Sequence, residues 1–393
     1  MNSAHLQRIE LDDLGALRVT GADAVRFLQG QLSNDLGRLG AQRSALAGLH
    51  NPQGRTIALL RMVQLAPGDL LALLPRELAA PVASRLAKYV LRAKVKLADE
   101  SQSWRITGLI AASARASLAG YPTIAGEQRR LGNIAVICVG DQPARWLLVA
   151  PAADAQTNDS PAAAGADESS QSVPAPREVW RQLDINAGMP QVYGSTSEQF
   201  VAQMLNLDVI GAIAFDKGCY TGQEVIARAH YRGRVKRRLQ RFRSRHRLDL
   251  KPGDSGELAD GRAFTVVEAV RLEDGRCEFL AVAPVPIIEP KLSAAMQPDT
   301  PLEHASAPLA GASMPAGTAA LTRANVGAPA SGAALHAAVP SELSATGAVW
   351  APFATSPAGA PQPGGATAPA PRNLAEDLPH ELEPLDLPYT LPE

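Results

Sequence analysis

Leu14 to Val19 reads as a short strand, and Thr20-Gly-Ala-Asp23 after it has capping-box spacing with Asp in place of Glu. Ala24, Phe27 and Leu28 then share one helical face. Asn51-Pro-Gln-Gly54 has turn chemistry and joins two apolar runs, at 44–49 and 56–65. Leu78, Val82, Leu86 and Tyr89 predict a helix over 77–90, and the alternation of 90–97 predicts a strand. Further strands are expected at 104–110, 134–139 and 145–150, and a helix over 178–187 that stops at Gly188 and Pro190. The runs 238–242, 264–271 and 277–282 read as antiparallel strands, separated by Pro252-Gly253, Asp260-Gly261 and Asp274-Gly275. A small β-barrel or sandwich over 236–290 is the closure this pattern predicts, with the apolar residues 385–391 returning to its edge. The chain is thus expected to be α+β, with its larger region at 1–235.

Composition divides the chain. From Lys291 to residue 379 Ala, Pro, Gly and Ser dominate, with too little large apolar surface to offset the cost of ordering the backbone, so disorder is expected. A smaller patch of the same kind runs over 152–176. Residues 291–393 carry 3 basic and 9 acidic groups, leaving 35 and 30 for the rest. A mildly basic folded part with an acidic tail does not suggest a general nucleic-acid binder. Cys138, Cys219 and Cys277 form no C-x-x-C pair, which argues against a disulfide framework and a zinc site. With no apolar leader and no run of 18 apolar residues, a cytoplasmic address is the simplest expectation, with no membrane partner.

The densest chemistry lies at Phe215-Asp-Lys-Gly-Cys-Tyr-Thr-Gly-Gln-Glu-Val-Ile-Ala-Arg228. Thr221-Gly-Gln-Glu224 has capping-box spacing, with Tyr220 and Val225 at the staple positions, so a helix is expected from Gly222 to Tyr231. Cys219 then precedes the cap, where the helix dipole and Lys217 favour a thiolate. Gly218 and Gly222 allow a ligand close to the backbone. The competing reading makes Cys219 a small buried residue in a tight loop.

The run Lys217, Gly218, Cys219, Tyr220, Gly222, Gln223, Glu224 and Arg228 resembles the signature of the YgfZ-type proteins, folate-binding relatives of the glycine-cleavage T-protein. Residues 21–31, 51–55, 89–96 and 187–190 are similar to other landmarks of that family, in the same order. The resemblance covers 14–290 apart from the 152–176 patch. It implies a T-protein-like fold of interleaved α+β units with a C-terminal antiparallel β-barrel. It implies tetrahydrofolate as cofactor, and iron–sulfur client or assembly proteins, including a tRNA-modifying enzyme, as partners. By the same resemblance Cys219 is the reactive residue, and Lys217, Arg228 and Gln223 bind folate, Gln223 also holding the loop with Glu224. Trp180 is a candidate stacking wall for the pteridine, weighed against a plain core role.

Departures refine this. Aminomethyltransferases carry an acidic pair after the 51–54 turn, where this chain has Ala58 and Leu59, and a Glu where it has Asn186. Lacking those acids, the chain lacks acid–base help for aminomethyl transfer, which favours the YgfZ branch. Ala202 stands where the family usually shows Pro. An alternative class is an RNA-contacting protein, since ten Lys and Arg fall between 228 and 247. Aromatic interleaving there is limited to Tyr231 and Phe242, so a solvated helix end and exposed strand are favoured. A third reading has Cys219 ligating iron with a partner's help. No H-x-x-x-H pair, Walker loop, G-x-S-x-G elbow or G-x-G-x-x-G run is present.

Overall fold

The computed structural model describes residues 6–111, 118, 120–153, 172–285 and 382–392; the expected disordered span 291–379 lies outside them. Its most apolar strand, β5 (Asp69–Pro75), is buried on both faces. Leu70, Ala72 and Leu74 enter one core, and Leu71 and Leu73 another. β5 is the middle of an antiparallel sheet ordered β3 (Ala45–His50), β4 (Thr56–Ala66), β5, β2 (Leu14–Thr20), β6 (Lys96–Asp99). Each fully buried Leu contributes about 1.5–3 kcal/mol.

A second sheet is ordered β11 (Ser172–Pro174), β1 (Leu6–Glu10), β7 (Trp104–Ala111), β10 (Ala144–Pro151), β9 (Ile134–Asp141), β8 (Gln128–Leu131). β11 runs parallel to β1, with Leu6 opposite Ser172, so the end of the low-complexity patch belongs to the fold. Ile106, Ile137, Leu147 and Val149 from this sheet meet Ala16, Val63, Leu71 and Leu73 from the first.

The third sheet is ordered β13 (Ser255–Glu257), β14 (Ala263–Arg271), β15 (Cys277–Pro284), β12 (Arg237–Ser244), β16 (Leu382–Leu385). The expected barrel is corrected here: the sheet is open, with β13 and β16 at its edges and no ladder joining them among the described residues. Both of its faces are already covered. Leu239, Val267, Leu280 and Val282 pack into the core of the first sheet. Phe242, Phe264 and Phe279 stack on the other face, at centroid spacings of 5.5–6.4 Å, under Leu248, Leu250, Leu258 and Leu382. Curling the sheet on itself would bury nothing further. After β16, Tyr389 donates its hydroxyl to Gly188 O at 2.8 Å and accepts from Asn206 Nδ2 at 3.3 Å.

The helices are α1 (Ala24–Gln29), α2 (Arg76–Ala87), α3 (Arg177–Asn186) and α4 (Gln223–Tyr231). Two local expectations fail. The Asp23 carboxylate accepts from Lys94 N at 2.8 Å instead of closing a box with Thr20. Of the segment expected as a strand only Lys96 and Leu97 belong to β6 and pair with β2, and Leu91 is 87 % exposed. Val90, Ala93 and Val95 still pack against the core of the first sheet, but from an irregular stretch with no strand partner.

Candidate functional site

The signature segment is anchored at three places. Lys217 Nζ donates to Gln29 O at 2.8 Å, Leu32 O at 2.6 Å and Asn34 O at 2.8 Å, which uses all three ammonium donors on the end of α1 and the loop after it. It also lies 5.1 Å from the centroid of the Tyr220 ring. Burial lowers its pKa to about 8, with Asp35 opposing. Lys217 therefore clamps the loop, and its donors are not available to a ligand. Gly222 stands in the left-handed region at φ +83, and a Cβ there would lie 2.5 Å from Asn51 O and 3.1 Å from Gly54 Cα. The backbone of the signature thus lies directly on the 51–54 turn, where Asn51 Oδ1 accepts from Gln53 N and Arg55 N, both at 3.0 Å.

The expected capping box is not made. α4 starts at Gln223 with Gly222 as its cap and no side-chain cap bond. Gln223 Oε1 instead accepts from Tyr220 N at 3.3 Å, and Glu224 pairs with Arg228 at 2.7 Å on the exposed face of the helix. The left-handed Gly222 turns the chain so that Thr221 cannot reach the first free amides. The staple fails as well, since Tyr220 is buried and Val225 is exposed. Cys219 is exposed, whereas Cys138 and Cys277 are buried, the latter with its thiol pushed up to about 12. Among the described residues no group of His, Cys, Asp and Glu is arranged to hold a metal ion, and no helix is long and apolar enough to cross a membrane.

Two connected cavities lie beside this loop. The outer cleft, about 1180 Å³, is bordered by Arg38, Arg43, Glu127, Phe215, Asp216 and Tyr231. The inner cavity, about 100 Å³, has apolar walls from Leu14, Leu59, Leu73, Leu147 and Trp180. Leu46, Arg61, Val139 and Met189 line both. Of the site residues expected from sequence Trp180 borders the inner cavity, whereas Lys217, Cys219, Gln223 and Arg228 line neither of the two. Trp180 is also core: it packs so closely on Gly108 that a Cβ there would lie 2.5 Å from its ring, and the Arg145 guanidinium sits 5.3 Å from the ring centroid.

The inner cavity is rich in ionisable groups that sequence reasoning missed. Asp13, Asp184 and Glu268 line it with Arg61, Arg177 and Arg181. The expected lack of carboxylates is thus corrected: acids reach the cavity from elements other than β4. Asn186 points elsewhere and accepts from Arg241 Nη2 at 2.6 Å. Asp184, two residues earlier and about 200° around the helix, faces the cavity and pairs with Arg145 at 2.7 Å. Glu268 accepts from the Tyr193 hydroxyl at 2.5 Å and from Ala269 N at 3.1 Å. Burial pushes its pKa up to about 7, against the opposing pull of Tyr193 and Arg181. Burial likewise raises Tyr193 well above the ordinary tyrosine range. The sequence signal was available: Arg61 and Glu268 are lone charges inside otherwise apolar strands.

The basic stretch is also partly internal. Arg238 pairs with Asp208 at 3.0 Å, both nearly inaccessible. Arg241 and Arg243 both pair with the buried Glu278, the first at 3.1 Å. Arg232, Arg234 and Lys236 remain exposed beside Tyr231.

No protein-family model matches the chain. Among characterised proteins it is similar to the tRNA-modifying protein YgfZ of Escherichia coli, 32 % identical over 282 residues that cover 69 % of this chain and 83 % of the relative. YgfZ of Yersinia pseudotuberculosis is 32 % identical over 285 residues, covering 70 % and 84 %. In fold it is similar to the glycine cleavage system aminomethyltransferase T from Bartonella henselae, with a TM-score of 0.57, 14 % identity, and coverage of 72 % of this chain and 79 % of that one. The mixed α+β architecture of interleaved sheets is shared with that enzyme, and by the identity and coverage of its relatives the chain belongs to the YgfZ family.

Proposed function

We propose that the protein binds tetrahydrofolate in the paired cavities and acts as an accessory factor for iron–sulfur enzymes, including tRNA-modifying ones, in the cytoplasm. The observation that carries the reading is the inner cavity: a chamber with apolar walls and six convergent charged side chains, beside a large cleft with which it shares four lining residues. The residues fit the ligand. Leu59, Leu73 and Trp180 offer apolar contact to a pteridine, while Asp184, Arg181 and Glu268 meet its polar edge. Arg181 Nε is buried without an acceptor, as expected of a group waiting for one. Tetrahydrofolate would supply one-carbon chemistry at its ring nitrogens; this chain's part is to hold and shield the ring.

The relatives' name, tRNA-modifying protein, supports the tRNA link. The aminomethyltransferase alternative draws on the shared fold; β4 presents Leu59 and Arg61 to the cavity, and the acids there, Asp13, Asp184 and Glu268, come from other elements. Direct RNA contact is disfavoured because Arg238, Arg241 and Arg243 are spent on internal ion pairs.

Tetrahydrofolate titration tests the reading, with Leu59→Trp as the variant that fills the inner cavity. Micromolar binding by the wild type, lost in the variant, supports it. No binding by a folded wild type sinks it. Cells lacking the protein, assayed for a cluster-dependent tRNA modification, test the accessory role.

A further inference from the structure

Arg61 is a charge in a strand that has no evident structural use for it. Thr56 to Leu60 are all buried, and Met62 and Val63 after it are buried as well. Along a strand, residues two apart share a face, so Arg61 follows Leu59 into the cavity and stands where the inner chamber meets the outer cleft. The neighbouring guanidiniums are all paired. Arg145 holds Asp184 at 2.7 Å, Arg177 holds Asp12 at 2.7 Å, and Arg181 holds Asp13 at 2.9 Å. Arg61 has neither an ion pair nor a hydrogen bond among the described residues. Burial lowers its pKa to about 10, Asp184 opposing this and Arg145 adding to it. Half-buried where the two cavities meet, its guanidinium carries five N–H donors that no protein acceptor among the described residues takes, and they face the cavities.

We propose that Arg61 is a ligand-anchoring residue, and that its guanidinium takes the carbonyl or carboxylate oxygens of the molecule bound across the two cavities. This deepens the tetrahydrofolate reading and rests on it for the ligand's identity. In tetrahydrofolate, such oxygens lie on the pterin ring and on the aminobenzoyl-glutamate arm. The fork of the guanidinium suits either.

The test uses the full chain, freed of bound folate, as wild type, Arg61→Met and Arg61→Lys. Each is titrated with tetrahydrofolate, with 6-methyltetrahydropterin, which lacks the arm, and with p-aminobenzoylglutamate, which lacks the ring. Loss of a charge-assisted contact weakens tetrahydrofolate binding in Arg61→Met by about tenfold or more, with partial recovery in Arg61→Lys. The fragment that weakens in parallel identifies which oxygens are held. Thermal unfolding of the ligand-free proteins is the independent readout: an anchor without an internal partner predicts that Arg61→Met melts at or above the wild-type temperature. Wild-type affinity in Arg61→Met overturns the proposal, as does a lower melting temperature with unchanged binding. If the wild type binds none of the three probes, the tetrahydrofolate reading fails. Melting then decides alone: a rise in Arg61→Met retains a ligand role for Arg61, and a fall makes it structural.

Discussion

The signature loop and the inner cavity are built in opposite ways. In the loop, the polar side chains of the signature are consumed by the fold: Lys217 donates to three carbonyls, Gln223 Oε1 accepts from Tyr220 N, and Arg228 pairs with Glu224. In the cavity, Arg61 from β4 meets no protein partner among the described residues, and Arg181 on α3 pairs with Asp13 while its Nε has no acceptor. Saturated polar groups fix a conformation, whereas a charge without a protein partner at a cavity wall is free to take a ligand. The difference separates a loop that positions Cys219 from the chamber proposed to bind.

Substitutions test this division, beginning with the largest effect. Lys217→Met strips three carbonyls of their donor beneath the loop, and a loss of about 4 kcal/mol in urea unfolding is expected. If stability is unchanged while tetrahydrofolate binding disappears, Lys217 is a ligand residue and the division breaks. Gly222→Ala forces a side chain into the left-handed region and against Asn51 O, and a cost of about 3 kcal/mol is expected by the same assay.

Glu268→Gln sharpens the cavity side through pH. Its folded pKa of about 7 exceeds the ordinary 4.5, so both states hold the proton at low pH. Between those values the unfolded chain releases its proton first, and stability falls as pH rises. Wild-type stability measured from pH 4.5 to 8 should therefore drop by about 2–3 kcal/mol more than that of Glu268→Gln. Parallel profiles would remove Glu268 as the titrating group. The smallest structural effect belongs to Cys219→Ser: stability within about 0.5 kcal/mol of wild type, with tetrahydrofolate affinity retained because Cys219 borders neither cavity. Loss of tRNA modification in cells carrying this variant would then assign the thiol to client chemistry; full rescue would dismiss it.

Periodicity located much of the scaffold. Strands such as β2, β7, β9, β10, β14 and β15, and helices α2 and α3, follow from local patterns that tertiary packing leaves intact. What sequence could not show was which neighbour each polar group would choose. Asp23 takes Lys94 N over its own helix, and Thr221 yields to a left-handed glycine. The barrel expectation failed for a similar reason, because one face of the third sheet packs into the core of the first sheet, whose residues come from distant segments. The site was half legible. The signature marked the loop, but the chamber's charges arrive from β4, α3 and β14, brought together only by the stacking of the sheets.

The pairing of β16 with β12, secured by Tyr389 on Gly188, bears on what the chain can tolerate in length. β15 ends at Pro284 and β16 begins at Leu382, and both belong to the third sheet. Closing a longer connection costs only about 0.6 kcal/mol per doubling. Truncation before Leu382 would strip β12 of its neighbour and bare a strand edge to other chains.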